Sequence, residues 1–143
     1  MITISLLSDL RVSFYEDLST VTQPVLLSIV ELGGYPDFSR VYKAAGYETI
    51  SVTSMRKAIS TIKKTPPTVI VAEFNFQSDF RDRTSTLESL MATLQGVDAD
   101  PLLIVLFEKE FATHFKRVQD RFIIHHSIAF PVTAEQLTAC LAH

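Results

Sequence analysis

Thr68-Val69-Ile70-Val71-Ala72-Glu73-Phe74-Asn75-Phe76-Gln77 decides the fold. Small and β-branched residues run without interruption into a carboxylate. A run of that kind predicts a strand buried on both faces, as in a parallel sheet covered by helices. Pro66 and Pro67, just before it, stop the preceding helix. Glu73 falls where the strand leaves the sheet. In open α/β sheets, function gathers at the carboxyl ends of strands, near the point where strand order reverses. Glu73 is therefore either a functional carboxylate or simply the first polar residue after a core strand.

Working outward, the same alternation repeats on both sides. Before the central strand, Val25–Val30 reads as a buried strand, followed by Glu31 and the turn signal Gly33-Gly34. Pro36 suits the first turn of a helix whose inner face is Phe38, Val41, Tyr42 and Ala45, with Gly46 ending it. Thr49–Val52 is the next strand. Ser54 caps a helix with Met55, Ala58, Ile59 and Ile62 inside and Lys63 and Lys64 in its last turn. After the central strand, residues 77–84 read as a polar loop. Ser85 or Thr86 then caps a helix carrying Leu87, Leu90, Met91 and Leu94, closed by Gly96. Pro101 opens the strand Leu102–Phe107. Phe111, Phe115, Val118 and Phe122 mark one face of the next helix. The last strand lies within Ile123–Phe130, and Thr133-Ala134-Glu135-Gln136 matches a capping box that starts the final helix.

From Pro24 onward this is β-α five times over. The pattern predicts a parallel sheet with helices on both faces, in the flavodoxin-like order 2-1-3-4-5. Residues 24–143 form that domain. Residues 1–23 form an extension, in which Leu7, Leu10, Phe14, Leu18 and Val21 recur at three- and four-residue steps. An amphipathic helix over about 5–20 follows, the alternative being a strand over Ile2–Leu7. The stripe would pack against the domain or meet a second copy of the chain.

Bulk properties narrow the function classes. The 143 residues suffice for one domain with a substantial core, and a hydrophobic content of 47% argues against disorder. A net charge of −3 argues against nucleic-acid backbone as the main partner. Cys140, the only cysteine, rules out an intrachain disulfide and fits a reducing compartment. No apolar run is long enough to span a bilayer, and Met1-Ile2-Thr3-Ile4-Ser5 lacks the basic flank of a signal peptide. A cytoplasmic protein without membrane partners is the expectation. His125-His126 would face opposite sides of a strand and so cannot easily share a metal. They read as surface or loop histidines, and His114 as solvent-facing. No phosphate-binding glycine loop and no cofactor fingerprint is present, so no cofactor is expected.

In its ordered features the sequence resembles the receiver domain of bacterial two-component response regulators over residues 25–141. Gly46-Tyr47-Glu48, Pro67 and Glu73 fall at that family's intervals without a gap. Ala58 sits where its second helix often has alanine, and Ala129-Phe130-Pro131-Val132 is similar to its Lys-Pro turn. The resemblance implies a phosphoacceptor at the end of the third strand, and that position carries Glu73. The acidic pair that helps hold Mg²⁺ falls on Ile29 and Val30, with Glu31 one place later. The hydroxyl position falls on Leu106 or Phe107, the lysine on Phe130 and the aromatic switch on Ser127. Mg²⁺ wants hard oxygen ligands in an octahedron, and phosphoryl transfer depends on such charge. The expectation is a degenerate receiver with no metal site, in which Phe130 fills the site with apolar bulk and Glu73 is a spent position or a fixed mimic of the phosphorylated state.

With no effector domain flanking it, such a module is expected to act by docking onto an unknown protein partner or as a homodimer. The resemblance places that contact on the fourth helix, fifth strand and fifth helix, around Phe111, Phe115, Lys116, Val118, Arg121, Phe122, His126 and Leu137. The alternative is that the phenylalanines are core, which is the expectation for Phe115 and Val118. The rival reading is a small α/β enzyme or ligand-binding protein using Glu31 and Glu73 for acid–base work. A deep polar crevice would favour the rival, and a shallow, apolar-plugged one the signalling module.

Overall fold

The computed structural model describes residues 23–31, 35–74, 86–97 and 99–142. In chain order these form β1 (Val25–Ile29), α1 (Ser39–Ala44), β2 (Glu48–Val52), α2 (Met55–Lys64), β3 (Val69–Glu73) and α3 (Thr86–Gly96). There follow β4 (Leu102–Phe107), a 3-10 turn (Lys109–Phe111), α4 (Ala112–Arg121), β5 (His126–Ala129) and α5 (Ala134–Leu141). Every ladder is parallel and the strand order is β2-β1-β3-β4-β5. This is the flavodoxin-like order that the β-α alternation predicts. The extension over residues 1–22 and the loop over 77–84 lie outside the described residues.

The central strand is buried along its whole length, as its composition requires. Side-chain alternation then divides the core into two layers. Ile70, Ala72, Leu103 and Val105 face α2, α3 and α4, where Ala58, Ile62, Leu87, Leu90 and Phe115 meet them. Val69, Val71, Ile104 and Leu106 face α1 and α5, against Tyr42, Leu137 and Leu141. The sheet is thus covered on both sides, and its carboxyl ends are left for the loops.

Local chemistry sets the helix starts. The Ser54 hydroxyl accepts from the Lys57 N–H at 3.2 Å and caps α2. The capping box at α5 is closed in both directions. Thr133 Oγ1 accepts from the Gln136 N–H at 3.2 Å, and Gln136 Oε1 accepts from the Thr133 N–H at 2.9 Å. Gly46, at φ 96°, takes the left-handed conformation that ends α1. The start of α1 differs from expectation. It begins at Ser39, past Pro36, because Asp37 Oδ1 accepts the Ser39 N–H at 3.0 Å and holds a turn there. The helix is only six residues long, and Ala45, expected on its inner face, is exposed beyond its end.

Candidate functional site

Glu73 is the last residue of β3 and is 7% exposed. Its register partner on β4 is Leu106, itself buried, and the Phe74 N–H continues the ladder to the Leu106 carbonyl at 2.8 Å. Glu73 Oε1 accepts the backbone N–H of Glu31, just past β1, at 2.7 Å. Glu31 in turn sends Oε2 to the N–H of Met55, the first residue of α2, at 3.1 Å. The two carboxylates form a relay from the end of β3, through the loop after β1, to the N-terminus of α2. Backbone N–H groups bound to an ionised acceptor make short, strong hydrogen bonds, and a helix N-terminus favours the negative charge.

An aromatic pair stands near Glu73. The Tyr35 ring meets Phe130 edge-on, with centroids 5.5 Å apart and planes at 77°. The Phe130 N–H donates to the Phe107 carbonyl at 2.8 Å, which anchors the residue beyond β5, and the Phe130-Pro131 bond is cis. Burial pushes the Tyr35 hydroxyl from 10.0 up to about 12, with the Glu73 and then the Glu108 carboxylate adding to the rise. The fold therefore favours the neutral hydroxyl. Its contribution to stability is complete below pH 10.0 and is lost as pH climbs towards 12. Tyr42 is pushed up as well, by burial first and then by Asp37. Tyr35→Phe is accordingly expected to shallow the alkaline fall in urea midpoint between pH 10 and 12 without abolishing it. An unchanged slope in the variant would show that Tyr35 does not carry this dependence.

The other sequence-derived positions are scattered around this centre. Ile29 does not face the site. It is 1% exposed and packs in the layer beneath α2 and α3. Val30 is half-buried and donates its N–H to the Val52 carbonyl at 3.2 Å, and Ser127 is exposed on β5. The expected interaction face needs correction. Leu137 is fully buried in the layer under α1 and α5, because its position in the first turn of α5 points at the sheet. Phe115 and Val118 are core, as their alternative reading has it, in the opposite layer under α2, α3 and α4, and Phe111 and Phe122 pack half-buried against that layer, since they share one helical stripe with them. Arg121 is turned towards α3, paired with Glu88 and lying over the Phe122 ring. Lys116, exposed and ion-paired to Asp120, and the half-buried His126 remain on the outer side of α4 and β5.

One histidine departs from its reading, since His114 is half-buried rather than solvent-facing. His125 is exposed just before β5, as read, and its Nδ1 accepts the Leu103 N–H at 3.0 Å while its backbone N–H donates to the Leu103 carbonyl at 3.0 Å. It thus ties the start of β5 to β4. Nothing in the sequence distinguishes it from His126, since the signal lies in a cross-strand register that only the fold supplies. Cys140 is half-buried against the core, and burial pushes its thiol up, as suits a packing residue rather than a nucleophile.

No family model matches the sequence, and no curated protein does. Solved structures do. Chemotaxis protein CheY4 of Vibrio cholerae aligns with a TM-score of 0.66 at 17% identity, over 85% of this chain and 98% of its own. A response regulator receiver domain from Clostridium thermocellum aligns at 0.64 and 11% identity, over 82% and 91%. The signal receiver domain of a LuxO repressor protein from Vibrio parahaemolyticus aligns at 0.61 and 17%, over 85% and 88%. The fold is that of a receiver domain. At these identities the likeness speaks for the fold alone.

The receiver fold implies a Mg²⁺ ion beside Glu73, and the residues around it can be tested for fit. Glu73 Oε1 and Glu31 Oε2 are each committed to a backbone N–H. Glu31 Oε1 is buried without a hydrogen-bond partner among the described residues. One such oxygen can serve a water, but it falls well short of an octahedral oxygen set. Among the described residues no three His, Cys, Asp or Glu side chains converge as metal ligands. This donor set does not fit the ion.

Proposed function

We propose that the chain is a receiver-like signalling module that takes up no phosphoryl group and works through protein contacts. One observation carries the reading. The carboxylate at the phosphoacceptor position is buried and already bound to the Glu31 N–H, which in turn is coupled through the Glu31 side chain to α2. A nucleophilic carboxylate needs a free oxygen facing an incoming phosphorus, with cationic charge to stabilise the transferring group. Among the described residues, Leu106 stands across the ladder from Glu73, and Tyr35, which feels both the Glu73 and the Glu108 carboxylates, packs edge-on against Phe130. The same relay engages one oxygen of Glu73 and one of Glu31 with backbone N–H groups, which sets the enzymatic reading behind the signalling one.

Contact with a protein partner, or with a second copy, falls on the outer side of α4 and the edge strand β5. Lys116 and Ser127 are exposed there and His126 is half-buried, and among the described residues β5 pairs on one side only. Incubation with acetyl phosphate and Mg²⁺, followed by intact mass measurement, tests the chemical half of the proposal. No phosphoryl adduct is expected. A stable adduct on Glu73, or on Asp79 or Asp82 nearby in sequence, would overturn it.

A further inference from the structure

A second feature lies at the opposite end of the sheet from Glu73. A hollow of about 310 Å³ opens there between the C-terminal ends of α3 and α4 and the first residues of β4. Met91, Leu94, Pro101, Leu103 and Phe122 give it a largely apolar lining with Ile123 beside them, while Gln95, Asp100, Arg121 and His125 add polar groups. Ile123 is 81% exposed, the one large hydrophobic so exposed among the described residues. A mostly apolar hollow with polar groups among its lining and a bare isoleucine beside it suits an amphipathic occupant.

We propose that residues 1–22 of the same chain dock there, seating the apolar stripe of Leu10, Phe14 and Leu18 in the hollow against Ile123. Three observations converge on that occupant. The chain enters β1 at the same end of the sheet. The Thr68 N–H donates to the Val25 carbonyl at 2.8 Å, and the Leu102 N–H to the Thr68 carbonyl at 2.9 Å, so Val25 and Leu102 lie in one row. That row spans two strand spacings, about 10 Å. Residues 18–25, if extended, reach roughly 23 Å, more than enough to bring Leu18 to the hollow. Finally, at helical spacing the sequence would put Leu7, Leu10, Phe14, Leu18 and Val21 on one stripe and Asp9, Arg11, Glu16 and Asp17 away from most of it, so that stripe would need cover. The hollow and the stripe each supply what the other lacks. The inference stands apart from the state of Glu73, since it concerns the other end of the fold.

Trypsin offers a direct reading, because Arg11 is the only Lys or Arg before Arg40. With the full chain folded, cleavage after Arg11 is expected to be slow. Ile123→Asp and Phe14→Asp should each accelerate it about tenfold or more, since cleavage follows the population of the undocked state. Ile123 is too exposed for its replacement to unfold the domain, and unchanged far-UV circular dichroism would verify this. Three results would overturn the proposal. One is cleavage of the parent chain after Arg11 as fast as in urea. Another is acceleration by only one of the two variants. The third is protection that grows with protein concentration, which would assign the hollow to a second copy.

Discussion

Replacing Phe115 with alanine is expected to cost about 3–5 kcal/mol, the range for truncating a buried aromatic residue. Phe115 is 1% exposed and sits where α4 grips the carboxyl ends of two strands. Its ring stacks on Phe107, the last residue of β4, with centroids 4.6 Å apart and planes at 29°. It also meets Phe74, directly after Glu73, at 5.2 Å and 50°. Each aromatic pair adds about 0.5–1.5 kcal/mol beyond the area it buries, so the alanine variant loses two such contacts and leaves a cavity between them. Domains of this kind hold about 5–15 kcal/mol in all, and the loss is a large share of that. Phe115→Leu keeps much of the volume and should lose less than half as much. Urea unfolding checks both, through a fall in midpoint at constant slope. A loss below about 1 kcal/mol for the alanine variant would show that α4 collapses onto the strands without this ring.

The difference between what was legible in the sequence and what was not has a physical pattern. Strands such as β3 declare themselves because burial on both faces demands an apolar run, and Val69–Ala72 has no other stable use. The caps at Ser54 and Thr133 are legible because the hydroxyl acts on N–H groups three residues away, within one local window. The site is different. Glu31 and Glu73 are 42 positions apart, and their hydrogen bond runs from a side chain to a backbone N–H, which leaves no residue type to read. Pairing the two carboxylates as the polar residues of the strand ends was within reach of the sequence, but their direct link was not. The interaction face failed at Leu137 for a related reason. A helix presents a stripe, and whether that stripe meets the sheet or solvent depends on how the element docks. Phe111 and Phe122 belong to the same stripe as Phe115 and are drawn inward with it.

Glu73 itself separates the structural from the signalling role by a series of three replacements. Glu73→Ala deletes the acceptor and strands the Glu31 N–H, which is expected to cost about 2–3 kcal/mol, the upper range for a hydrogen bond to a charged group. Glu73→Gln keeps an oxygen at the same reach and loses only the charge, for a cost of about 1 kcal/mol. Glu73→Asp keeps the charge but is shorter by one carbon–carbon bond, about 1.5 Å. From a starting distance of 2.7 Å that withdrawal carries the carboxylate beyond hydrogen-bond range, so aspartate should behave more like alanine than like glutamine. Urea midpoints in the order Gln above Asp and Ala would establish reach, rather than charge, as what this position supplies. The same variants bear on function. A shift between surface states requires a differential interaction with those states. If Glu73 works only as an anchor, Glu73→Gln leaves association with a partner or a second copy intact in sedimentation or pull-down, while charge reversal at Lys116 weakens it. Association that instead follows the charge at residue 73 would identify the glutamate as a fixed phosphate mimic. Glu73→Asp restores the acidic residue type that the receiver resemblance implies at this position, yet it is expected to stay unmodified by acetyl phosphate. Phe130 still stands where the resemblance implies a lysine, and Ile29 remains in the core. A phosphoryl adduct on that variant would mean that residue 73 alone had silenced an otherwise working site.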